Sequence, residues 1–149
     1  MKKVALLLLS ALFLFPAPAP AEELKTRAMT LTLPRGWTYQ VEEDENVTLT
    51  GKSGAVVTVT TQEIKTQQDK VDLNPHAIAT FLSSQLRESG VFVSDVTIDG
   101  KAFCFTVAED PPSSFRISVE NGRWFVMFVI RNPDKDPDVE TLLSSARYN

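Results

Sequence analysis

Residues Ile98–Arg131 read IDGKAFCFTVAEDPPSSFRISVENGRWFVMFVIR, and this stretch decides the fold. It divides into three apolar-rich runs separated by turn chemistry. Asp99-Gly100 leads into the first run and Asn121-Gly122 closes the last hairpin; both dipeptides tolerate the positive φ that tight hairpins need. Lys101–Ala108 alternates, with Phe103, Phe105 and Val107 on one face and Cys104 and Thr106 on the other. In Phe115–Val119, the residues Phe115, Ile117 and Val119 point inward, and Arg116 and Ser118 point outward. Trp124–Ile130 is apolar at every position, the mark of a strand covered on both faces. Three antiparallel strands with helices over both surfaces are therefore expected.

Working toward the N-terminus, Val91–Ile98 (VFVSDVTI) reads as the strand feeding this meander. Before it, Asn74-Pro75 is a helix start, an N-cap followed by proline at the first helical position. Ile78, Phe81, Leu82, Gln85 and Leu86 then follow helical spacing, and Gly90 ends the helix. Lys65–Leu73 is polar and reads as a mobile loop. Four shorter strands come earlier: Met29–Leu33, Trp37–Val41, Val47–Thr50 and the β-branched run Ala55–Ile64. In the second, Trp37, Tyr39 and Val41 share a face. Glu22–Ala28 reads as a loose lead-in.

Toward the C-terminus, NPDKDPD (residues 132–138) is a loop. A second helix starts near Asp136-Pro137, with Val139, Leu142, Leu143 and Ala146 as its apolar stripe and Arg147 in its last turn. The whole predicts one α+β domain, an antiparallel β-sheet flanked by helices in an α/β/α sandwich.

The first residues set the expected compartment. Lys2 and Lys3 precede an apolar run from Val4 to Phe15, and Ala19-Pro20-Ala21 follows. That is the layout of a secretory signal peptide cleaved after Ala21. The run is short for a membrane span, which needs about 20 apolar residues. A signal peptide over residues 1–21 and one domain over 22–149 are expected, in a periplasmic or secreted protein with no stable membrane anchor after cleavage. Loss of the two lysines takes the formal charge from −4 to −6. A mildly acidic chain without a basic run has no electrostatic footprint for nucleic acid.

Candidates for chemistry are few. Cys104 is the single cysteine, so no internal disulfide is possible, and its place between two phenylalanines reads as a small buried hydrophobe. His76, the single histidine, sits in the first turn of a helix with no base partner in sight. One His and one Cys do not make a zinc site. Asp134, Asp136 and Asp138 alternate as calcium ligands would, but Pro137 interrupts them and no glycine turn or later glutamate completes a loop. Glu42-Glu43-Asp44-Glu45 is an acidic turn, and Gly51-Lys52-Ser53-Gly54 lacks phosphate-loop spacing. Asn46-Val47-Thr48 is a glycosylation sequon, meaningful only in a eukaryotic secretory pathway. No catalytic residue, cofactor or metal is expected.

The order of elements, the LPRGW turn (Leu33–Trp37), the hairpin Ile98-Asp99-Gly100-Lys101-Ala102-Phe103, the aromatic strand Trp124–Ile130 and the short closing helix together resemble the PsbP-like superfamily. That group also includes the yeast Ran-binding nuclear-import factor and bacterial families related to type VI effector chaperones. The resemblance spans roughly Thr30 to Arg147. It implies an antiparallel sheet between helices and a role in binding other proteins or assisting assembly, with no shared catalytic set. Fold likeness alone is a weak warrant for function. Two readings follow. One is an exported, non-catalytic protein-binding module, an assembly factor or chaperone-like accessory with an unknown protein partner. If one face of the last strand is uncovered, Trp124 and Phe128 would contact that partner. The other is a small-molecule or lipid-binding protein, with some of the nine Phe and two Trp lining an apolar cavity between sheet and helix.

Overall fold

The structure, a computed structural model, describes residues 22–149; the expected signal peptide lies outside the described residues. Five strands open the chain: β1 (Glu22–Lys25), β2 (Met29–Leu33), β3 (Thr38–Val41), β4 (Val47–Thr50) and β5 (Val56–Glu63). Two helices follow, α1 (Gln67–Asp72) and α2 (Pro75–Glu88). Then come β6 (Phe92–Val93), β7 (Thr97–Asp99), β8 (Ala102–Ala108), β9 (Ser113–Glu120) and β10 (Trp124–Arg131). A 3-10 turn (Pro133–Lys135), α3 (Asp138–Ser144) and β11 (Arg147–Tyr148) complete it.

One antiparallel sheet runs in the order β3-β4-β5-β10-β9-β8-β6, with β7 also paired to β8. The meander read from the sequence is its centre. Trp124 stands opposite Glu120 on β9 and opposite Glu63 on β5. Asn121 and Gly122 both adopt positive φ, 54° and 62°. The Arg123 N–H donates to the Glu120 carbonyl at 3.0 Å, so the turn is the one that the dipeptide favours.

β10 is covered on both faces, as its composition requires, and its alternation splits the core in two. Trp124, Val126, Phe128 and Ile130 join one cluster with Leu31, Leu33, Trp37, Leu49 and Val57. Phe125 and the half-buried Met127 join the other, with Phe105, Val107, Ile117 and Ala79. Helix α2 covers this second face; Ile78, Leu82 and Leu86 pack down from it. Phe105 is 1% exposed and stacks on Phe115 with ring centroids 4.6 Å apart. The first face is covered by α3, through Val139 and Leu142, and by a three-stranded sheet in the order β1-β2-β11. Helices thus lie on both sides of the main sheet, and the small sheet shares one side with α3.

Several local expectations change. Residues 22–25 are a strand, because Leu24 reaches the core and β1 pairs along β2 from Glu22↔Leu33 to Lys25↔Thr30. Gln67–Asp72 is a helix held by a capping box: the Asp69 N–H donates to Thr66 Oγ1 at 3.0 Å, and the Thr66 N–H returns a bond to Asp69 Oδ2 at 3.0 Å. The strand expected over 91–98 breaks into β6 and β7, because Ser94 turns its hydroxyl to accept from the Thr106 N–H at 2.8 Å. On α2 the inward face centres on Ala79 and Ser83, and Phe81 is 62% exposed. Arg147 belongs to β11 and not to the last helix. Ser118, expected to point outward, is buried under the small sheet's side of β9.

Candidate functional site

The first face of the main sheet is covered unevenly. Opposed residues on antiparallel strands share a face. Cys104 on β8 stands opposite Arg116 on β9, and Arg116 stands opposite Phe128 on β10. Thr106 likewise meets Ser114, and Ser114 meets Ile130. Phe128 and Ile130 are buried in the cluster that α3 and the small sheet cover. Moving outward from them, burial fades: Arg116, Ser114 and Cys104 are half-buried, and Thr106 and Ala108 are exposed. Phe92, opposite Ala108 and therefore on the same face, is 85% exposed. The outer half of this face is an open shelf with an aromatic ring at its rim.

Where the shelf meets α3 there is a cleft of about 350 Å³, bordered by Cys104, Arg116, Ile130, Asp136, Val139 and Glu140. The Arg116 guanidinium is its organising group. Its Nη1 donates to Asp99 Oδ2 at 2.7 Å and lies 3.9 Å from the Cys104 sulfur. That bond, and then the guanidinium charge, hold the Asp99 carboxyl below its usual range. Burial pushes the Cys104 thiol up; the Arg116 charge pulls the other way without prevailing. Burial opposes the Arg116 charge too, yet the bond to Asp99 keeps it firmly protonated. Asp136, 5% exposed, accepts the Asp138 N–H on Oδ1 at 3.0 Å and so starts α3. Its other oxygen would lie 2.5 Å from any Cβ at position 51, which explains a glycine there: Asp136 and Trp37 close on the backbone from above.

A second charged group lies across the molecule. Glu63 accepts from Arg123 Nη2 at 3.1 Å and is also bonded by Arg27; Lys65 Nζ is 3.8 Å away. The guanidiniums of Arg27 and Arg123 sit 5.6 Å and 4.9 Å from the Trp124 ring centroid. This arrangement ties β2's approach, β5 and β10 together around an aromatic ring.

Trp124 and Phe128, expected as contact residues if their face were uncovered, are 2% and 3% exposed. The condition is not met: both are core. Cys104 leaves the core and lines the cleft. His76 is exposed at the start of α2, with its ring 5.0 Å from Phe103. Phe103 and Cys104 are neighbours on one strand and so face opposite ways. The sheet therefore separates the histidine from the thiol, and no Cys-His pair forms. Among the described residues, no three His, Cys, Asp or Glu side chains are grouped as metal ligands, and no helix is long and apolar enough to cross a membrane. The residues that the sequence reading missed are Arg116 and Phe92. Arg116 carried a signal, a charged residue two strands from the edge opposite a cysteine. Phe92 carried none, since it sits in an alternating apolar run.

The fold defined by this layering is the α+β, antiparallel-sheet class to which PsbP-like proteins belong. The chain is similar to the solution structure of cyanobacterial PsbP from Synechocystis, with a TM-score of 0.54 over 91% of this chain and 97% of that one. Identity between the two is 11%, so the likeness concerns the fold. No protein-family model matches the chain, and no match was found among curated proteins.

Proposed function

We propose that the chain is an exported, non-catalytic protein-binding module that serves as an assembly factor or chaperone-like accessory. The observation that carries this reading is the open shelf over β8 and β9, with Phe92 85% exposed at its rim and the Arg116 cleft at its foot. An aromatic and an arginine at the edge of a concave surface are the residue types that anchor protein interfaces. The PsbP-like fold is compatible with an accessory role, and His76 and Cys104 lie on opposite faces of the sheet. Exposure supports Phe92 and Arg116 as the contact surface, since Trp124 and Phe128 are enclosed.

A lipid or small molecule in an apolar cavity is less well supported. Helix α2 lies directly on Phe105, Ile117 and Phe125, and the cleft under α3 is bordered by charged side chains.

The test is a crosslinking pull-down with residues 22–149 as bait in native extract, alongside Phe92→Asp and Arg116→Glu. One dominant protein captured by the wild type, and lost in both variants while their circular dichroism is unchanged, is expected. Capture that survives both substitutions removes the shelf as the interface. A bait that captures nothing but retains a small molecule in native mass spectrometry replaces this reading with ligand binding.

A further inference from the structure

Among the described residues the main sheet ends at β3, whose outer edge has no neighbouring strand. Every residue of Thr38–Val41 is exposed. The Glu42 N–H donates to the Asn46 carbonyl at 2.8 Å, in register with the β3–β4 pairs Thr38↔Thr50 to Val41↔Val47. Hydrogen-bonded pairs alternate along an antiparallel ladder, so Gln40 and Thr38 bond to β4. The N–H and C=O groups of Tyr39 and Val41 consequently point off the open edge. Their side chains share the face of Leu49 and Val47, which are buried core, and remain 43% and 48% exposed. The apolar face of the sheet thus continues to its last strand, where no other described residue covers it.

The charges flanking this strand are opposite at its two ends. Before it come Arg35 and, folded over Gly36, the side chain of Lys52. After it comes Glu42-Glu43-Asp44-Glu45, all exposed. Edge strands are commonly protected by like charges that repel a second copy. Here the charges are arranged head to tail.

We infer that β3 is the interface of a two-fold homodimer, in which β3 of one copy pairs antiparallel with β3 of a second. Placing Gln40 opposite Gln40 satisfies every outward group: Tyr39 pairs with the other copy's Val41, and Val41 with its Tyr39. Each is an aromatic–β-branched cross-strand pair, among the favourable ones. The same two-fold brings the turn that carries Arg35, with Lys52 folded over it, toward the acidic turn Glu42–Glu45 of the other copy. The contact is isologous and closes on itself, so it makes dimers and not fibres. It lies at the sheet edge opposite the shelf, and both surfaces are free to act together.

Sedimentation velocity over a concentration series tests it, read beside amide exchange at Tyr39 and Val41. The wild type is expected to dimerise, with those two amides slowing as dimer forms and that of Gln40 slow throughout. Val41→Pro removes an outward donor at an edge, where proline is tolerated, and should give a folded monomer with unchanged circular dichroism, whose melting temperature no longer depends on protein concentration. Arg35→Glu, which puts a like charge near the other copy's acidic turn, should weaken the dimer by a few-fold, and raising the salt concentration should weaken the wild-type dimer in the same direction. Phe92→Asp should leave the dimer intact. A wild type that stays monomeric at the highest soluble concentration overturns the inference. So does a dimer that Val41→Pro leaves unaffected.

Discussion

At the scale of single residues, charge placement makes the firmest expectations. Glu63 gathers Arg27, Arg123 and Lys65. Partial removal from water tends to raise its pKa, but the Arg123 bond and the three positive charges win and hold it below 4.5. A carboxylate with a depressed folded pKa stabilises the native state above its unfolded pKa, and that contribution is lost as pH falls through the folded value. Glu63→Gln should therefore be less stable than wild type at pH 7, with the difference closing below the folded pKa. Urea unfolding at neutral pH and near pH 3 checks this; an equal difference at both would show that packing, not charge, was lost. Arg116 should act on Cys104 in a related way. Its charge favours the thiolate, so Arg116→Ala should move the thiol's titration midpoint upward, as read by thiolate absorbance. The sequence placed Cys104 between two phenylalanines and suggested burial, but strand parity sent it to the other face. The alternation was visible; which face would remain uncovered depended on a small sheet whose strands lie at the two ends of the described chain.

At the scale of elements, the readable ones carried their own punctuation. α2 was announced by Asn74-Pro75, and Asn74 Oδ1 accepts the Ala77 N–H at 2.9 Å. α1 was missed because it has no apolar stripe and no buried residue. Its only signal was the spacing Thr66-x-x-Asp69, a capping box in a polar setting. Thr66→Ala should cost about 1 kcal/mol of stability, measurable by chemical denaturation, and an effect near zero would mean the helix is held by something else. β1 was missed for a related reason: only Leu24 of its four residues is buried. In β3 the shared face of Trp37, Tyr39 and Val41 was read correctly as a pattern. Only Trp37 is buried, however, because among the described residues no strand lies beyond β3 to complete the cover. In the core, Phe105→Ala should cost roughly 3–5 kcal/mol, the range for emptying a packed aromatic site.

At the scale of the whole molecule, the antiparallel meander and the class of fold were legible, since hairpin turns and a doubly apolar strand leave few alternatives. The splitting of the N-terminal strands between two sheets was not. Nothing in MTLTL says that Met29–Leu33 pairs with residues 22–25 on one side and 147–148 on the other. The last residues are knotted into this arrangement by several bonds. The Asn149 N–H donates to the Ala28 carbonyl at 2.9 Å, and the buried Trp124 Nε1 donates to the Asn149 carbonyl at 2.8 Å. Deleting residues 147–149 should cost at least ~2 kcal/mol, since it unpairs β2 and orphans an indole donor. Thermal unfolding of residues 22–146 against 22–149 decides it.

The pairing of β2 with β11 also bears on when the chain can become rigid. β2 emerges early in synthesis, and its second neighbour is made only after almost everything else. Until then one side of the larger hydrophobic cluster lacks a strand of its cover. Sealing that cluster is thus a non-local event: strands far apart in the described chain must meet before its cover is whole.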